Sequence, residues 1–181
     1  MPKFPYDNFG LCDEQTYHSL QRAKNYFRGL VKENEISLFF EHGSNGMLNA
    51  GSCKGSCGGV AHLHWLAIDK DSITPQNLHK KIMEWEFVTS EPLAFDRENL
   101  YEFTTTGGYI LFEFDSGDNF YYPVEMLPSQ FIQQVITSLL EPTKQHIEWQ
   151  QNYKTPECIA RFRQGIIEYG QGLELDFDID E

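Results

Sequence analysis

At 181 residues, with 40% hydrophobic residues and 14 Phe, 9 Tyr and 3 Trp, the chain can bury a sizeable core, which excludes disorder of the whole. A formal charge of −13 without a basic patch excludes nonspecific binding to nucleic acid or to an anionic membrane, while a local loop of N–H donors can still hold a small anion. No stretch approaches the roughly 18 apolar residues of a membrane span, and Cys12, Cys53, Cys57 and Cys158 are few and unevenly spaced, as in a reduced cytoplasmic setting.

The first ten residues hold two prolines and no continuous apolar run, so no secretory leader is expected. Asp13 to Glu33 reads as an amphipathic helix. Asp13 is its N-cap, and Tyr17, Leu20, Ala23, Phe27, Leu30 and Val31 form its apolar stripe. Ile36 to Phe40 is a short apolar strand, and Glu41-His42-Gly43 leads out of it. His42 is either a polar strand end or a neighbour of the site that follows.

Asn49 to Gly59 is a loop rich in Gly and Ser, and it opens into an apolar run ending at Ile68. On a strand over Val60–Ile68, a period of two puts His62 and His64 on one face. Two imidazoles beside a loop rich in backbone N–H groups suit several roles. They can be structural, they can ligate a metal, or they can act as nucleophile and acid/base on a phosphate held by the loop.

Thr74-Pro75 starts a second helix, with Leu78, Ile82 and Trp85 on one face. Glu91 to Asn99 reads as a connector. Strands are expected at Leu100–Thr104, Tyr109–Phe114 and Asn119–Val124, the last two joined by the turn Asp115-Ser116-Gly117-Asp118. Pro123 favours an edge or a strand end. The six aromatics from Tyr109 to Tyr122 serve equally as core or as the lining of a base pocket. Pro128-Ser129-Gln130 opens a third helix and Thr155-Pro156 a fourth. The acids of 171–181, with no base among them, read as a tail after a single domain over 1–170. Short hairpin spacing predicts an α+β domain, one antiparallel sheet of about five strands with flanking helices.

The stretch Asn49–His64 resembles the signature of the histidine-triad (HIT) family: Asn-x-Gly, a short loop, a Gly-(Gln/Cys)-Ser element, then three alternating histidines. Asn49 and Gly51 fall on the first element, Gly55-Ser56-Cys57 on the second, and Val60, His62 and His64 on the three histidines. Phe40-Glu41-His42-Gly43 and Pro128-Ser129-Gln130 are similar to the GalT-like, diadenosine-polyphosphate-hydrolase-like branch. The resemblance implies a HIT-like fold and a nucleotide hydrolase or nucleotidyltransferase working through a nucleotidyl-histidine. It implies His62 as nucleophile, His64 as a phosphate contact, and Asn49, Gly55, Ser56 and Cys57 as phosphate-binding residues. No cofactor is required, and a homodimer is implied. The chain departs from the pattern at Val60, at Ser56 and Cys57, and at Ala67, where many members carry proline. A slipped register, with His62 first and His64 in the middle, leaves Asn49, Gly51 and Gly55 out of place.

Two other readings compete. One is a HIT-like module that binds a nucleotide or a protein without turnover, since Val60 removes a partner of the nucleophile. The other is a structural zinc site using Cys53, Cys57, His62 and His64, whose thiolates and imidazoles suit that metal.

Overall fold

The computed structural model describes residues 6, 8–43, 61–85, 88, 90–104, 107–124, 131–141, 156, 160 and 164. The chain divides into two compact units, Met1–Gln145 and His146–Glu181. In the second unit, Pro156, Ala160 and Gln164 have helical backbone, within the stretch where a fourth helix is expected.

The first unit is α+β, with one five-stranded antiparallel sheet. The strands are β1 (Glu35–Gly43), β2 (His64–Asp69), β3 (Leu93–Ala94), β4 (Gly108–Phe114) and β5 (Asn119–Val124). They lie in the order β2-β1-β4-β5-β3. The helices are α1 (Glu14–Arg28), α2 (Pro75–Met83), α3 (Arg97–Thr104) and α4 (Phe131–Leu140), with a short 3-10 turn at Phe9–Leu11. Among the described residues, no helix is long and apolar enough to cross a membrane.

Local chemistry sets the helix ends. Asp13 accepts the Thr16 N–H at 2.7 Å and starts α1. Gly29, a weak helix former, ends α1 after Arg28, five residues before the expected end at Glu33. Thr74 and Asn77 form a reciprocal capping box ahead of α2, with Pro75 in its first turn. At the β4–β5 turn, Gly117 has a φ of 87°, the left-handed conformation a tight hairpin needs there. Pro123 sits beyond the end of β3, which pairs only with Phe120 and Tyr121, so its missing N–H leaves no bond unmade on that side.

One expected strand is a helix. Leu100–Thr104 belongs to α3, because Asp96 starts a helical turn there: its carboxylate accepts the Glu98 N–H and its carbonyl the Leu100 N–H, both at 2.9 Å. Leu100, Phe103 and Thr104 then recur at helical spacing and pack inward. The fifth strand is instead the two-residue β3, inside the stretch read as a connector. β2 begins at His64, and residues 61–63 lead into it without strand pairing.

The two faces of the sheet differ. Leu38, Phe40, Ile110, Phe112, Phe114, Tyr122 and Ile68 meet Leu78 and Ile82 of α2 and Phe131, Ile132, Val135 and Ile136 of α4. Each such side chain contributes about 1.5–3 kcal/mol on leaving water. The six hairpin aromatics are core: Phe120 packs against that cluster, and Tyr109, Phe112, Phe114, Tyr121 and Tyr122 are buried. The reading of them as a base pocket is set aside.

The other face mixes apolar groups with buried charge. Leu100, Tyr109, Leu111 and Tyr121 pack beside Phe95 and Phe103. Along α1, Tyr17, Leu20 and Phe27 are only partly buried and Ala23 is exposed. The buried residue of that helix is Lys24, whose Nζ donates to the Glu113 carboxylate of β4. Phe27 meets the Trp65 ring at 4.9 Å, and Arg28 binds Asp115 at 2.9 Å. The expected apolar stripe of α1 is therefore built around an ion pair.

Lys24→Ala is expected to cost about 3–5 kcal/mol, because it leaves a buried carboxylate without its cation. Lys24→Met combined with Glu113→Leu should recover most of that loss. Chemical denaturation of the single and double variants measures both values.

Candidate functional site

Antiparallel pairing of β1 with β2 places Phe40 opposite His64. Alternation then puts His64, Leu66 and Ile68 on the same face as Leu38, Phe40 and His42. The pairing ends there: His42 lies two residues further along β1, and His62 lies in the unpaired residues ahead of β2. The His62 and His64 rings stand edge-on, with centroids 4.8 Å apart. His64 stacks on Phe40, at 4.6 Å and an interplanar angle of 7°. His62 also lies near enough to His42 to bear on its charge, so three partly buried imidazoles stand where β1 ends and the chain enters β2.

The surroundings set their charge. Burial first, and then the nearby His62, push His42 and His64 down to about 4. Both are neutral at neutral pH, and each then carries one N–H donor and one lone pair. Such a cluster offers a lone pair to an electrophile, a donor to an oxyanion, and a proton acceptor.

Behind His42, on the opposite face, lies a second polar group. Glu41 is fully buried; its Oε1 accepts the Phe9 N–H at 2.9 Å and its Oε2 the Tyr109 hydroxyl. The Gly10 N–H in turn points at the Tyr109 oxygen, 3.4 Å away. Desolvation lifts the Glu41 carboxyl to about 7 despite these bonds. Gly43 fits under the Tyr109 ring; a Cβ there would stand 2.2 Å from a ring carbon. The chain leaving His42 is therefore clamped from below. On the return side, the Ala61 N–H donates to the Tyr6 carbonyl at 2.6 Å.

Of the residues expected at the site, His62 and His64 stand side by side. Asn49, Gly55, Ser56 and Cys57, like Gly51, Cys53 and Val60, lie outside the described residues. His42, read from the sequence either as a strand end or as a neighbour of the site, belongs to the cluster. Among the described residues, no group of three His, Cys, Asp or Glu side chains is arranged to hold a metal ion. An open groove of about 500 Å³, lined by Leu93, Ala94, Asn99, Glu102, Phe103 and Tyr121, lies at the β3 edge, the opposite end of the sheet from the histidines.

Sequence reasoning missed Glu41, Glu113 and Lys24 as buried groups. The signal was present: an acid directly after the apolar run Ile36–Phe40, another inside Tyr109–Phe114, and a lysine four residues after Leu20 and three before Phe27.

The titrations oppose one another. His42 and His64 drop from an ordinary 6.5 to about 4, so the unfolded chain binds more protons in that window and stability falls as pH drops through it. Glu41 rises from 4.5 to about 7, so the fold binds its proton more tightly and gains stability as pH drops through that window. Glu41→Gln removes the second effect and should steepen the loss on acidification. Urea midpoints taken from about pH 7 to about pH 4.5 measure the slope; equal slopes for the two proteins would contradict the assignment to Glu41.

No family model and no curated protein matches the chain. The functional reading therefore stands on the imidazole cluster and the residues around it.

Proposed function

We propose that the chain is a HIT-like nucleotide hydrolase or nucleotidyltransferase. It acts on a phosphoanhydride or phosphoester of a nucleotide through a nucleotidyl-histidine intermediate. The observation that supports this most directly is the adjacency of His62 and His64 at a half-exposed strand end, directly after a loop whose sequence suits phosphate. In this reading His62 attacks phosphorus. His64 and the loop residues Asn49, Gly55, Ser56 and Cys57 balance charge on the phosphoryl oxygens. Splitting the displacement into two steps lowers each barrier. No cofactor is required, the working form is a homodimer, and the setting is the cytoplasm.

A second reading keeps the fold and the ligand but removes turnover. Val60 favours it, because an isopropyl group cannot hydrogen-bond to a neighbouring imidazole. In the zinc reading, Cys53 and Cys57 join His62 and His64, and stoichiometric zinc in the purified protein would support it.

Exposure to α-labelled nucleotide, followed by analysis for labelled histidine, separates the classes. His62→Ala is expected to abolish labelling, a loss of roughly 10³-fold or more, with the fold intact. His64→Ala is expected to slow it about 10²-fold, as for loss of one oxyanion donor. A reversed order would mean that His64 is the nucleophile. Nucleotide binding without labelling would mean a binding module.

A further inference from the structure

We propose that the segment 6–13 is a proton-operated strap. It lies closed over Glu41 while that carboxyl carries its proton, and it lifts from the sheet when the proton leaves, loosening the chain that enters His62. The strap works in this way whatever chemistry the imidazoles perform.

The strap is fastened at three places. At its start, the Tyr6 carbonyl accepts the Ala61 N–H at 2.6 Å, one residue ahead of His62. At its middle, the Phe9–Leu11 turn lies on the sheet. The Phe9 N–H donates to Glu41 Oε1 at 2.9 Å, and the Gly10 N–H points at the Tyr109 hydroxyl, which itself donates to Glu41 Oε2. At its end, the Cys12 carbonyl accepts from Arg97 Nη2 at 3.2 Å, and Asp13 caps α1. The Tyr6 hydroxyl also donates to Asp13, at 3.0 Å, which closes the segment on itself. Cys12 and Asp13 are thus the hinge, about which the turn and Tyr6 move together.

The middle fastening is the one that responds to protons. Glu41 is fully buried, and its hydrogen bonds come from neutral donors. Lys24 of α1 and Glu113 of β4 both bear on its charge, with opposite signs, and they are paired with each other. Tyr109 faces it from β4 and the Cys12 thiol from the strap. On α3, Arg97 is engaged by Glu14 and by the Cys12 carbonyl. A buried carboxylate served by neutral donors, with the neighbouring lysine committed elsewhere, is costly, and lifting the turn lets water reach it. The neutral carboxyl fits the closed form better. One oxygen still accepts the Phe9 N–H while the hydroxyl bonds to the Tyr109 oxygen.

Burial accordingly holds Glu41 at about 7 under the closed strap, against the ordinary 4.5 once water reaches it. The closed form therefore binds the proton more tightly than the open one. Linkage then makes proton binding close the strap and proton loss open it, the same sense in which Glu41 stabilises the fold on acidification.

Amide exchange on the full chain, ¹⁵N-labelled and read residue by residue, tests this. Each rate divided by the intrinsic rate at that pH gives the opening constant. For Phe9 and Gly10 that constant is expected to rise about 40-fold from about pH 5 to about pH 7, and only about 2-fold more by about pH 8. Ala61 should follow the same curve, while the amide of Phe112 in β4 stays far slower throughout. Glu41→Gln, whose amide stands in for the protonated carboxyl, should keep all three constants at the low acid value across the range. Tyr109→Phe keeps the ring against Gly43 but removes one donor to the carboxylate, so its curve should level off at a higher pH than the wild type's. Opening constants for Phe9 and Gly10 that do not change with pH in the wild type would overturn the proposal with no variant needed. A rise that persists in Glu41→Gln would overturn the assignment to Glu41. A rise at Phe9 with none at Ala61 would overturn the link to the chain entering His62.

Discussion

Alternation along β1 commits Glu41 and His42 to opposite faces of the sheet, and most of the first unit follows from that commitment. β1 lies between β2 and β4, so each of its faces is walled by neighbours on both sides. Toward one face it presents Leu38, Phe40 and His42, toward the other Ser37, Phe39 and Glu41. A slip of one residue would put a carboxylate into the apolar layer under α2 and α4, and an imidazole beneath the Phe9–Leu11 turn. The polar residues thereby fix the register as firmly as the apolar ones.

The two faces solve burial differently. The α2–α4 side removes aliphatic and aromatic surface from water and holds almost nothing polar until its rim, where the imidazoles stand. The α1–α3 side places Lys24 against Glu113 and Tyr109 against Glu41. Such groups contribute little net stability compared with apolar residues of the same size, but they penalise wrong arrangements heavily. Residues near the histidines are thus backed by contacts with narrow geometric tolerance. That suits a site in which ring direction matters.

Much of this was legible in the residues themselves. The Asp13 and Thr74 caps, the turn at Gly117 and the alternation of His62 with His64 are local signals, and local physics decides them. α3 was misread because Leu-Tyr-Glu-Phe-Thr satisfies a strand pattern and a helix pattern alike, and the deciding residue, Asp96, lies outside that run. The membership of His42 in the imidazole cluster depends on which residue of β1 opposes which residue of β2, a matter of pairing and not of spacing along the chain. Lys24 was hidden by the habit of assigning lysine to solvent. Its partner Glu113 is 89 residues away, and nothing short of the folded sheet brings the two together.

The contact between Gly43 and Tyr109 bears on how this chain can diverge. As long as position 109 carries an aromatic ring, position 43 has room for no larger side chain, so any change at 43 must follow a change at 109. The contact fixes the direction in which the strand is left. The direction in which the chain leaves β1 after His42 is thus inherited together with the ring at position 109.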